Sequence, residues 1–236
     1  MPLEKEDFVR ETEEETAFRE AHLTLFTFPP FNLAEEILPH LDAEIVWLRR
    51  HVEEGSVNGE SLILPEKTVY IDLQPCPRFL APYRDDQHLL SSVLTSARGS
   101  GNIPKDVLWG SNIEIKLPLD SRWSVSSDEI DSILLPQVKD TLKTKRKVRL
   151  PTVAEYLYLK SQGHLFNANQ SDHSLATKEW ANDLFYSAHD FSNPIGRLIV
   201  SNSLENPASG GVHWWFTQGD FKRLPTLGFR LVAEVK

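Results

Sequence analysis

Between Ala34 and Val52 the apolar residues fall at Ala34, Ile37, Leu38, Leu41, Ile45, Leu48 and Val52. Steps of three and four place them on one stripe, which predicts an amphipathic helix. Pro29-Pro30 breaks the chain ahead of it, Asn32 with Glu35 three residues on has the form of a capping box, and Gly55 ends the pattern. A stripe of this kind packs on its own domain or offers a docking or oligomer surface along residues 33–52; the first is the favoured reading. Residues 1–20 are Glu-rich with few apolar positions and read as a frayed helix or disordered arm.

After Gly59 the period changes. Leu62-Ile63-Leu64 and the alternating run from Thr68 to Leu73 read as the strands of a hairpin turned at Pro65-Glu66-Lys67. Pro75, Pro77 and Pro82 punctuate a loop. A second helix is predicted from Asp128-Glu129-Ile130, with Ile133 and Leu134 facing inward and Pro136 near its end. A third starts at Thr152, which pairs with Glu155 as a capping box, and stops at Gly163. Short apolar or aromatic strands follow at 197–200, 213–216 and 229–232. Helices precede strands and are not interleaved with them, which predicts an α+β fold. The organisation expected is an acidic helical N-terminal extension over residues 1–58 and a second unit over 59–236.

Charge sharpens that division. Residues 1–60 carry fifteen acidic and five basic side chains, so the overall charge of −9 resides there. Phosphates would be repelled by such a segment, which argues against nucleic acid as a partner. A basic run from Lys139 to Arg149 is interleaved with neither aromatics nor glycines and reads as a solvated loop. The N-terminal residues are acidic where a secretion signal would be basic and then apolar, and no segment approaches a membrane span; the expectation is a cytoplasmic protein with no membrane partner. A single cysteine, Cys76, forbids an intramolecular disulfide and a cysteine-rich metal cage, and reads as a small buried hydrophobe.

Three pieces of the last third stand in a telling order: Arg149-Leu150-Pro151-Thr152-Val153-Ala154-Glu155-Tyr156-Leu157-Tyr158, then Lys178-Glu179-Trp180 followed by Asn182, Asp183 and Phe185, then Gly228-Phe229-Arg230-Leu231. Together they resemble the formylglycine-generating enzyme family, also called the sulfatase-modifying factor family. Its helix motif runs Arg-Leu-Pro-Thr-Glu-Ala-Glu-Trp-Glu-Tyr, its second piece is Trp-Glu-Trp, and its C-terminus carries Gly-Phe-Arg-Leu. The resemblance covers roughly residues 60–236 and is strongest after Arg149. It implies a variant of the C-type lectin fold, here with an N-terminal helical extension.

The departures from the family matter as much. Its oxidase holds copper through two cysteines ahead of Gly-Phe-Arg, and this chain has none between Ser203 and Gly228. Soft thiolates are what hold a cuprous ion. The family's calcium-binding Asn falls at Ala176, and its Arg-Gly-Gly-Ser-Trp block has become Val200-Ser201-Asn202-Ser203-Leu204. These losses argue against formylglycine generation, and no catalytic residue, metal or cofactor is assigned. Other branches of the fold remain. Variable proteins of diversity-generating retroelements use it as a rigid frame whose binding face precedes Gly-Phe-Arg-Leu, and related domains serve recognition in bacterial defence and signalling proteins.

The segment ahead of the last motif has the composition of such a face. Asn202, Glu205, Asn206, His213, Trp214, Trp215, Phe216, Gln218, Asp220, Lys222 and Arg223 mix aromatic anchors with adaptable polar groups, as paratopes do. On one strand Trp214 and Phe216 would point inward and Trp215 outward. The reading that follows is a non-catalytic module whose partner is a protein. A second reading is a metal-dependent oxidoreductase of the formylglycine-generating enzyme and sulfoxide synthase superfamily, with His189, Asp190 and His213 as iron ligands. A third is a structural subunit that docks through its N-terminal helix.

Overall fold

The computed structural model describes residues 12–36, 42–73, 107–110, 113–116, 129–162, 164, 178–187, 189–201, 212–216 and 227–235. They form a mixed α and β structure. Helix α1 (Glu13–Glu20) leads into strand β1 (Leu23–Phe28), then β2 (Phe31–Asn32), a single turn α2 (Leu33–Glu36) and α3 (Asp42–Glu53). A 3-10 turn precedes β3 (Ile63–Leu64) and β4 (Lys67–Asp72); β5 (Val107–Gly110) and β6 (Ile113–Lys116) pair with each other. A π-helical segment (Ile130–Leu134) runs into α4 (Leu135–Thr141), followed by β7 (Val148–Arg149) and α5 (Val153–Ser161). The chain closes with β8 (Lys178–Ser187), β9 (Asp190–Ser201), β10 (Val212–Phe216), β11 (Leu227–Gly228) and β12 (Val232–Glu234).

Two four-stranded sheets carry the frame. One has the order β1-β4-β12-β7 and is antiparallel throughout. The other has the order β10-β9-β8-β11, with only the β8–β11 pair parallel. Strand side chains alternate between faces, so the continuous apolar run of β9 must be covered on both sides. Leu198 and Val200 enter one core with Phe28, Leu33, Ile45, Leu48, Tyr156 and Val232, whereas Ile199 enters a second with Phe18, Ile130, Leu134, Trp180, Phe229 and Ala233. Adjacent residues of β8 and β12 are divided in the same way: Ala181 and Val232 face the first core, Trp180 and Ala233 the second.

The described residues of the first 58 are not only helical. Within them β1 pairs with β4 along its whole length, from Leu23 opposite Asp72 to Phe28 opposite Lys67. The described part of the Glu-rich arm, from Thr12, is helical. Thr12 and Glu15 form a capping box on α1, and Phe18 is buried against Tyr70 with ring centroids 4.7 Å apart. The basic run answers this helix: Arg146 Nε lies 3.1 Å from Glu14 Oε2, Lys143 Nζ 3.3 Å from Glu13 Oε2, and the Thr144 hydroxyl donates to Glu14. The loop expected to be merely solvated therefore fastens the acidic helix, and the opposite charges of the two segments are partly spent on each other.

Other expectations are revised. The span of the predicted long helix is described as α2 and α3, and residues 37–41 between them lie outside the described residues. Of the described stripe residues, Ile45 and Leu48 are buried and Ala34 and Val52 pack on the same core, as the favoured reading expected; Ile37, Leu38 and Leu41 lie outside the described residues. Asn32 does cap, accepting from the Ala34 N–H at 3.1 Å. The expected hairpin is absent: β3 pairs with β2, while β4 joins β1 and β12 in another sheet. Pro136 lies at the start of α4 and not near a helix end. Proline has no N–H to give and crowds the preceding turn, and the π-helical turn just before it, closed by Leu135 N–H to Ile130 C=O, accommodates that break.

Candidate functional site

The three signature pieces converge on one buried ion pair. Arg230 donates to Glu179 from Nε at 2.7 Å and from Nη2 at 3.1 Å, and from Nη1 to the Asp72 carbonyl at 2.9 Å. Tyr156 Oη donates to Glu179 Oε2 at 2.8 Å and lies 3.2 Å from the Trp180 carbonyl. Glu179, Arg230 and Tyr156 are each within 1% of complete burial. A charge at this depth is tolerable only when paired and hydrogen-bonded, and the bidentate contact with a phenolic donor supplies both. Helix α5, strand β8 and the approach to β12 are thereby tied at one point.

A second pair fixes the start of α5. Arg149 reaches Glu155 through Nη1 at 2.7 Å and Nη2 at 2.8 Å, and Glu234 through Nε at 2.7 Å. Lys67 Nζ lies 3.0 Å from Glu155 Oε1. Glu155 also completes the expected capping box, accepting from the Thr152 N–H at 2.7 Å while its own N–H donates to Thr152 Oγ1. Burial pushes the Glu155 carboxyl up, but the hydrogen bonds and charge of Arg149, the charge of Lys67 and the Thr152 N–H outweigh it, and it sits below its ordinary range.

Beside this helix end opens a cleft of about 560 Å³. Its polar wall holds Asn58, Glu60, Lys67, Thr152, Asn182 and Asp183; Ile63, Pro65, Leu184 and Tyr186 complete the lining. Asp183 accepts from Ser61 Oγ at 2.6 Å and from the Val153 N–H at 2.7 Å. Its carboxyl is nevertheless held above the ordinary range, first by burial and then by the negative charge of Glu155, with the two hydrogen bonds only partly offsetting these.

Of the residues singled out for binding, His213, Trp214, Trp215 and Phe216 lie on β10, opposite Ile199, Leu198, Arg197 and Gly196 of β9. Asn202, Glu205, Asn206, Gln218, Asp220, Lys222 and Arg223 lie outside the described residues, as do Cys76, Ala176 and the side-chain directions along β10. The backbone nonetheless fixes where their segment starts and stops. Lys178 of β8 pairs with Ser201 of β9 on one side and with Leu227 of β11 on the other. Residues 202–226 thus connect two positions of the sheet that lie two strand spacings apart, about 10 Å, and contribute β10 to its edge beside β9.

The candidate iron ligands are not brought together. Asp190 opens β9 opposite Ser187, whereas His213 is in register with Ile199, nine residues further along that strand with bulges between them. Among the described residues no three His, Cys, Asp or Glu side chains gather as a metal site, and no helix is long and apolar enough to cross a membrane.

Sequence reasoning missed the cleft and most of the charge pairing. Lys67 reads as a turn residue, Asp183 as a neighbour of a motif, and Arg197 as the edge of an apolar strand, yet buried Arg197 donates from Nη2 to Asp131 at 2.5 Å. The only sequence signal was that Asp183 and Arg197 are charges inside apolar runs, which burial must satisfy with partners. No protein-family model, curated protein or solved structure matches this chain.

Proposed function

We propose that this chain is a cytoplasmic, non-catalytic binding module on a C-type lectin-like frame of the formylglycine-generating enzyme type, and that the segment ahead of Gly228-Phe229-Arg230-Leu231 contacts a protein partner. The observation that carries the reading is the pinning of both ends of residues 202–226 against Lys178 of β8. A segment whose flanking residues are fixed on a rigid sheet, and which itself adds the edge strand β10, is displayed as binding segments are, because the frame absorbs the ordering cost. The signature side chains support it from the other direction: Tyr156, Glu179 and Arg230 are spent on holding the frame. Trp215, Phe216, Gln218 and Lys222 are the leading contacts.

Against the iron-oxidoreductase reading stands the separation of Asp190 and His213 along β9, and against docking through the N-terminal helix the burial of Ile45 and Leu48. The test is in-cell crosslinking followed by affinity capture of tagged protein, comparing wild type with Trp215→Ala/Lys222→Ala. The expected result is loss of the captured protein from the double variant with its thermal unfolding unchanged. Retention of every captured protein would sink the proposal.

A further inference from the structure

We propose that the cleft at the N-terminus of α5 binds an aliphatic cation, an ammonium or guanidinium on a short alkyl chain, with Asp183 and Glu60 meeting the charge and Ile63, Leu184 and Tyr186 the chain. This is a site apart from residues 202–226 and stands independently of their proposed role.

The sign of the ligand follows from what is already satisfied. A helix N-terminus ordinarily draws an anion. Here the protein's own carboxylates occupy it, Asp183 on the Val153 N–H and Glu155 on the Thr152 N–H, both at 2.7 Å. Lys67, the cationic member of the lining, lies 3.0 Å from Glu155. An arriving anion would find its donors taken and one further carboxylate, Glu60, in the walls beside Asp183.

A cation finds the reverse. Ser61 Oγ and the Val153 N–H fix the Asp183 carboxylate from one side, and each carboxylate oxygen keeps acceptor capacity beyond one bond. The Glu60 N–H is held by Asn58 Oδ1 at 3.1 Å, which sets this residue at the start of its 3-10 turn on the rim. Ile63, Pro65, Leu184 and Tyr186 give the same cleft an apolar part. Ile63 is 57% exposed beside the cleft, a large hydrophobe left uncovered next to two acids. Alkyl chain against such a wall with its charged end on fixed acceptors is the usual division of labour in a small-ligand site.

The experiment is an amide ¹H–¹⁵N titration of the full chain with n-butylamine, and in parallel with N-acetyl-lysine methylamide; n-butanol and butyrate are controls. Saturable shifts at Ile63, Asn182, Asp183 and Leu184 are expected with either amine, about tenfold weaker with butanol and absent with butyrate. Tighter binding of the free amine assigns a small metabolite, and tighter binding of the capped lysine assigns a protein side chain; both support the cation site. Glu60→Gln should weaken binding at least about threefold and Asp183→Asn about tenfold. Because Glu60 is exposed, its variant gives the readout if Asp183→Asn does not fold. Equal shifts with butanol, binding unchanged in Glu60→Gln, or no saturable shift with either amine would overturn the proposal.

Discussion

Glu179→Gln isolates the junction of the three signature segments. The substitution keeps the shape of the side chain and removes its charge, leaving the Arg230 guanidinium at 1% exposure facing an amide. An uncompensated buried charge of this kind costs about 3–5 kcal/mol. For a chain of 236 residues that is a fall in melting temperature of about 6–20 °C. The cost should not belong to Glu179 alone. Replacing both partners by methionine removes the stranded charge, and such exchanges are often neutral or stabilising by about 1–4 kcal/mol. Tyr156 keeps the Trp180 carbonyl within 3.2 Å in the double variant. The assay is urea unfolding of wild type, Glu179→Met, Arg230→Met and the double variant, read as a double-mutant cycle. The expected coupling is more than about 2 kcal/mol in the sense that the double variant is far better than the sum of the singles. A Glu179→Gln loss below about 1 kcal/mol, or additive singles, would refute the view that this pair locks the frame.

The remaining predictions concern the end of α5 and one turn. Glu155 is held below its ordinary range, so its contribution is present above the unfolded carboxyl value near 4.3 and fades as pH falls through the folded one. Glu155→Gln should lose stability at neutral pH and show a shallower acid limb than wild type in pH-dependent unfolding. Asp183 is raised, so its ionisation costs the folded state as pH rises through its folded value; the stability of Asp183→Asn relative to wild type should improve from acid toward neutral pH, and a flat difference would refute this. Thr152→Ala removes the hydroxyl that caps the Glu155 N–H and should cost about 1 kcal/mol in urea unfolding. Gly55 has φ +79°, and a Cβ there would come within 2.9 Å of the Phe191 ring. Phe191 is 55% exposed and can yield, so the backbone conformation sets the cost of Gly55→Ala, about 1 kcal/mol by thermal unfolding.

What the amino-acid sequence determined by itself was local. The capping box of Thr152 and Glu155, the cap at Asn32, the strand at 197–200 and the α+β content all follow from interactions spanning a few residues, whose spacing is visible in one dimension. Of the two readings of the Glu-rich arm, frayed helix or disorder, the described residues take the helix, started by an equally local capping box at Thr12 and Glu15. Tertiary structure decided the rest. Only the strand order separates β3 from β4 and makes β1 part of the frame, since a strand's partner depends on which faces are buried and not on its own alternation. Only folding brings Glu179 to Arg230, Glu14 to Arg146 and Ser61 to Asp183, far apart along the chain. Charges read singly from a sequence look solvated; burial forces them into pairs, because a charge taken out of water without a partner destabilises the fold.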